Sequence, residues 1–191
     1  MKHAIIVGDS CSGKSTVLQL LSQKGFRVVF ENGLAKIPAE TENDKSLSNK
    51  WFMDYYHQRE KDVAVPTLFE YSLHFQYPFT ITQRRTRKIT PGQEVMLISY
   101  LASLTHKEHL DPQTIVFHFI LDNPIIISRL AQKKLFKPAS HAVYLDTLRE
   151  ETQRYFSSRS KYYQIDTTGK SAEEIAQWVE GILKKEEFVK S

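Results

Sequence analysis

The chain has 191 residues, 41% of them apolar and 25% charged, with 26 Lys and Arg against 22 Asp and Glu for a net charge of +4. That length and apolar content suit a single domain spanning 1–191 with a sizeable core and exclude a disordered chain, and no run approaches the ~20 apolar residues of a membrane span. One cysteine, Cys11, excludes an internal disulfide framework and a multi-thiolate zinc site.

Ala4 to Val7 form a short apolar run, Gly8 to Gly13 a polar turn, and Lys14 to Gln23 a helical stripe of Val17, Leu18, Leu20 and Leu21 closed by Gly25. Because the opening turns polar after Val7, no signal peptide is expected and the cytoplasm is the expected location. Val28 to Phe30 predict a second strand. Strand, helix and strand in that order predict an α/β fold with a parallel sheet. Ile37 to Ser48 reads as a loop, Trp51 to Val65 as an amphipathic helix stopped by Pro66, and Thr67 to Ser72 as a third strand. Phe79 to Lys88 reads as a basic loop. Thr90, Pro91 and Gln93 signal a helix reaching about Lys107.

Thr114 to Leu121 is apolar almost throughout, the pattern of a strand covered on both faces, and Asn123 and Pro124 open another helix. A Lys-rich bend over 133–140 precedes a helix carrying Leu145, Leu148, Thr152 and Tyr155. Tyr162 to Ile165 is the last strand, and Ser171 with Glu174 caps the last helix.

Gly8-Asp9-Ser10-Cys11-Ser12-Gly13-Lys14-Ser15 matches G-x-x-x-x-G-K-[ST] between a strand and a helix. Glycines let the backbone curl so that successive N–H groups face phosphate oxygens, and the following helix adds its positive end. With Thr16, these residues are the expected nucleotide cradle. Lys14 is expected on the outer phosphates and the Ser15 hydroxyl on Mg²⁺.

Around this motif the sequence resembles the small P-loop kinases of nucleosides and nucleotides, the deoxynucleoside kinase and thymidylate kinase group. The resemblance implies a three-layer P-loop NTPase fold with a mainly parallel five-stranded sheet, an acceptor-binding segment over about 31–90 and a lid over about 129–142. It also implies ATP and Mg²⁺ as donor and cofactor. Glu31 stands where the group carries the carboxylate that takes the acceptor's proton. Phe69-Glu70-Tyr71-Ser72 resembles its acidic-Arg-Ser segment, with Glu70 expected on Mg²⁺ directly or through water and Tyr71 replacing the arginine. Arg129 and Lys133, four apart before the lid, share a helix face and are expected to screen the transferring phosphoryl group.

A hydroxyl acceptor needs a base and a monophosphate needs cations, so Glu31 argues for the first and the run Arg84, Arg85, Arg87 and Lys88 for the second. That run also fits a solvated loop. Nine of the 22 aromatic residues fall between Trp51 and Phe79, and Trp51, Phe52, Tyr55 and Phe75 are candidates to wall a nucleobase. His106 and His109 fit a polar helix end, and no metal beyond Mg²⁺ is expected.

The expected function is transfer of the γ-phosphoryl group of ATP to a nucleoside or nucleotide. Alternatives are a kinase of another small alcohol, and a nucleotide-binding switch in which Arg129 and Lys133 point to solvent. Expected partners are a nucleotide donor and a small acceptor, not a membrane or nucleic acid; a homodimer is compatible with the sequence.

Overall fold

The computed structural model describes residues 3–33, 36–41, 44–61, 63–105, 110–132 and 141–188. Five strands, β1 (Ala4–Gly8), β2 (Val28–Val29), β3 (Leu68–Glu70), β4 (Ile115–Ile120) and β5 (Lys161–Asp166), form one parallel sheet in the order β2-β3-β1-β4-β5. Among the described residues seven α-helices flank it: α1 (Lys14–Gln23), α2 (Lys45–Glu60), α3 (Gln76–Arg85), α4 (Pro91–Thr105), α5 (Asn123–Gln132), α6 (His141–Phe156) and α7 (Ala172–Lys185). The expected five-stranded α/β architecture is the observed one.

Strand alternation sorts the core. Ala4 and Ile6 face α1 and α7 in a cluster with Val17, Leu18, Phe117 and Val179, whereas Ile5 and Val7 face Tyr144, Leu148 and Phe156 of α6 on the other side. A third cluster, Met53, Tyr56, Leu73, Leu97 and Leu101, joins α2 to α4. Both faces of β1 and β4 are covered, which is why their sequences are apolar but for His118 in β4. Among the described residues no helix is long and apolar enough to cross a membrane.

Two expectations about this half of the chain are corrected. The loop expected over Ile37 to Ser48 ends early: Asp44 caps α2, its carboxylate accepting from the Ser46 and Leu47 N–H groups at 2.8 and 3.2 Å. The basic loop expected over Phe79 to Lys88 is mostly α3. Its buried face is polar, with Gln76, Thr80, Thr82 and Gln83, so no apolar stripe announces it. Packing against α6 holds it instead, where Arg85 pairs with Glu150 at 2.7 Å and with Glu151. The histidine pair 106 and 109 and most of the lid expected over 129–142, Lys133 included, lie outside the described residues.

β1 is central, and β3 and β4 lie on either side of it. The connection after β1 runs to β2 on one side and the one after β3 runs to β4 on the other, so the strand order switches beside β1 and opens a crevice at the carboxyl ends of the strands, where an α/β sheet binds its ligand.

Candidate active site

The phosphate loop leaves β1 into this crevice. Gly8 has φ 126° and sits so close to β4 that a Cβ would lie 2.0 Å from the Phe119 carbonyl oxygen, so only glycine fits. Gly13, at φ 89°, turns the loop into α1. The first helical hydrogen bond is donated by Val17 to Gly13, leaving the amides of Lys14, Ser15 and Thr16 without a carbonyl ahead of them in the helix. Cys11, Gly13, Lys14, Ser15, Thr16, Arg129 and Gln132 surround a concavity of about 420 Å³. Such a cradle suits an anion.

Lys14 is buried, and its ammonium donates to the carbonyls of Gly8 and Asp9 at 3.1 and 2.6 Å. Burial pulls its pKa down to about 8, against the pull of Glu70 and Asp9. Asp9 acts differently from the rest of the loop. Its N–H donates to Phe119, and its buried carboxylate accepts from Arg149 Nε and Nη2 at 2.8 and 2.6 Å and from the Leu121 N–H at 3.0 Å. Burial pushes the Asp9 carboxyl up while Arg149 pulls it back. Asp9 thus struts the loop against β4 and α6.

Arg129, on α5, donates to the Cys11 carbonyl at 2.6 Å, so it faces the loop rather than solvent. On the other side of α1, the Ser15 hydroxyl donates to Glu70 Oε1 at 2.6 Å, and Glu70 Oε2 accepts from the Glu31 N–H at 3.1 Å. The Glu31 carboxylate accepts from the Gly33 N–H and lines the adjoining cavity. A serine hydroxyl and a buried carboxylate side by side are hard oxygen donors of the kind Mg²⁺ takes.

That cavity, about 680 Å³, runs between two helices from the phosphate loop outward. Lys45, Phe52 and Tyr56 of α2 and Gln76, Phe79 and Gln83 of α3, with Lys88 beyond, line it at helical spacings, and Tyr144, Leu145 and Leu148 of α6 close a third side. Asn49 Nδ2 donates to Gln83 Oε1 at 2.5 Å across the gap. Gln76 Oε1 is buried with no hydrogen-bond partner among the described residues. Of the four aromatic candidates, Phe52 and Phe75 line this cavity. Trp51 and Tyr55 are outside the lining and stack on one another, centroids 5.3 Å apart. In the basic run, Arg84 pairs with Glu94 and Arg85 with α6, and Lys88 alone reaches the cavity, its ammonium 3.7 Å from the Tyr144 ring.

Sequence reasoning missed Arg149, Gln132, Gln76 and Gln83. The two α3 glutamines stand on the polar face that hid the helix. Arg149 lies between apolar and acidic residues on α6 and carries no local signal of its partner 140 positions earlier.

The sheet order and the loop after β1 define the three-layer P-loop NTPase fold. Solved structures share it over nearly the whole chain. Deoxyadenosine kinase from M. mycoides with bound dCTP superposes with a TM-score of 0.78 at 16% identity, covering 97% of this chain and 100% of that one. Thymidylate kinase from Candida albicans gives 0.63 at 11%, covering 97% and 92%. The YorR protein from Bacillus subtilis, in complex with phosphorylated GDP, gives 0.59 at 16%, covering 97% of each. No protein-family model matches the chain, and no curated protein matches it.

Proposed function

We propose that the protein transfers the γ-phosphoryl group of ATP to a hydroxyl or phosphate of a nucleoside or nucleotide. The carrying observation is the shared wall: Gly8, Ser10 and Tyr71 border an aromatic cavity large enough for a nucleoside, and Glu31 lines that cavity while its N–H holds the carboxylate bonded to Ser15. Phosphate loop and acceptor cavity therefore meet at one point, as transfer demands. The neighbours named above include two kinases of this chemistry, which supports the reading.

In this reading the amides opening α1 and the Lys14 ammonium hold the donor's phosphates, Lys14 exchanging its loop carbonyls for phosphate oxygens. Ser15 and Glu70 would hold a magnesium ion, which would supply charge neutralisation to the donor's phosphates. The acceptor oxygen forms its bond to the γ-phosphorus as the bond to the bridging oxygen breaks and ADP leaves. When the acceptor is a hydroxyl, its proton passes to the Glu31 carboxylate. Arg129, already against the loop, screens charge that spreads over the phosphoryl oxygens, and Lys133 is proposed to do so with it.

The test is ADP production by the full chain with ATP, Mg²⁺ and a panel of nucleosides and nucleotides. Lys14→Ala should abolish most ATP affinity. Glu31→Gln should bind ATP normally and lose about 10²–10⁴-fold in turnover of a hydroxyl acceptor. Tight ATP binding with slow hydrolysis that no acceptor accelerates would instead favour a nucleotide switch.

A further inference from the structure

The phosphate loop contains a side chain of the wrong sign for its ligand. Between Gly8 and Thr16 the charged residues are Asp9 and Lys14, so the loop on its own brings no net charge to a strongly anionic molecule. The acid also bears on the lysine. Burial lowers the pKa of the Lys14 ammonium, the carboxylates of Glu70 and Asp9 pull it back up, and the ammonium already donates to the Asp9 carbonyl at 2.6 Å. Left uncompensated, the Asp9 carboxylate would compete with phosphate oxygens for the lysine of the cradle.

The compensation comes from α6. Asp9 is 1% exposed, and a buried carboxylate needs a partner. Its Oδ2 accepts from Arg149 Nε and Nη2 at 2.8 and 2.6 Å and from the Leu121 N–H at 3.0 Å, while Oδ1 is buried with no hydrogen-bond partner among the described residues. With one oxygen unserved, the carboxylate depends on the guanidinium for its charge balance. The cations that act on it are Arg149 first and Lys14 after it, whereas Arg129 meets the loop elsewhere, at the Cys11 carbonyl. Arg149 is itself held in place. Its Nη2 also donates to the Leu121 carbonyl beyond β4, and its Nη1 lies 3.4 Å from Oδ1 of Asp146, an exposed carboxylate that water screens.

The residues that line the phosphate concavity and the acceptor cavity include neither Asp9 nor Arg149. Whatever Arg149 does for the donor it does through the loop. Resting on the kinase reading above, we propose that Arg149 is a positioning residue for the donor: it cancels the Asp9 charge inside the phosphate loop and so leaves the Lys14 ammonium free to pass from loop carbonyls to phosphate oxygens. Counting Asp9, Lys14 and Arg149, the loop and its support carry a net charge of +1. Removing the arginine charge makes that 0, removing the aspartate charge makes it +2, and removing both restores +1. Donor affinity follows this order. The same helix lines the acceptor cavity through Tyr144, Leu145 and Leu148, so a displaced α6 would disturb both ligands, whereas a lost charge disturbs the donor.

The natural chain, Arg149→Met, Arg149→Lys, Asp9→Asn and the double variant Asp9→Asn with Arg149→Met are titrated with ATP and Mg²⁺ by calorimetry, each checked for folding by circular dichroism. Arg149→Met keeps the apolar stem without the charge and should raise the Kd at least about tenfold, while Arg149→Lys should raise it less than about threefold. Asp9→Asn should bind ATP more tightly than the natural chain, because the guanidinium then faces the loop without its counter-charge. The double variant should return to within about threefold of the natural Kd, since the carboxylate that required an arginine is gone. If the bond served only to tie α6 to the loop, the double variant would bind as weakly as Arg149→Met. That result, or a folded Arg149→Met with natural affinity, overturns the inference and leaves the kinase reading standing. Where Arg149→Met does not fold, the double variant decides. Where neither folds, Asp9→Asn decides, and natural or weaker affinity in it overturns the inference. A natural chain that binds no ATP removes the kinase reading, and this inference with it.

Discussion

Lys14 shows how one buried cation couples folding to ligand binding. Burial lowers its pKa from 10.5 to about 8, so between those values the unfolded chain keeps a proton that the ligand-free folded chain gives up. Because the unfolded state binds more protons, this group makes stability rise with pH across that window. Nucleotide binding has the opposite sign, since phosphate oxygens need the ammonium. ATP affinity, measured by titration calorimetry, should fall as pH climbs above about 8, by up to about tenfold per unit, and Lys14→Ala should lose that dependence. The placement of Lys14 and Ser15 at the head of α1 was legible in the sequence because the motif sets them in consecutive residues between a strand and a helix. Arg149 was not, because its bond to Asp9 exists only once β1 and α6 are side by side.

At the scale of elements, α1 and α7 were read from their apolar stripes, α2 was found but placed late, since it runs Lys45–Glu60 and not Trp51 to Val65, and the helix with a polar buried face was missed. α1 begins and ends where its stripe predicts, whereas α3 turns Gln76, Thr80 and Thr82 inward and was read as a loop. α7 was announced by its cap. Ser171 accepts from the Glu174 N–H at 3.1 Å while Glu174 accepts from the Ser171 N–H at 2.7 Å, and Ile175, Ala176, Val179 and Leu183 are buried behind it. Ser171→Ala should lower the thermal midpoint by about 2–4 °C without changing ATP affinity, because α7 packs on the sheet face away from the acceptor cavity. A differential scanning measurement with and without ATP checks both halves.

Over the whole molecule, the sheet order was the part that composition and periodicity could not supply, since pairing of β1 with β3 and β4 is decided by strands far apart in the chain. That order also buries a titratable group between the layers. His118 of β4 faces Tyr162 of β5, its Nδ1 2.6 Å from the phenol oxygen, and burial, aided by Arg149 and Lys14, lowers its pKa from 6.5 to about 3. The unfolded chain takes up a proton near the upper value and the folded chain resists until near the lower one. Stability should therefore decline as pH drops from 6.5 towards 3, and a urea series should show a shallower decline for His118→Gln.

Cys11 gives the molecule a built-in reporter. It is the sole thiol of the chain, half-buried in the loop at φ 61°, with its carbonyl gripped by Arg129. A neutral alkylating reagent would label this position and no other, so the rate of labelling reads occupancy directly, without any acceptor or turnover. Saturating ATP should slow the reaction, and an unchanged rate would mean that the donor binds elsewhere.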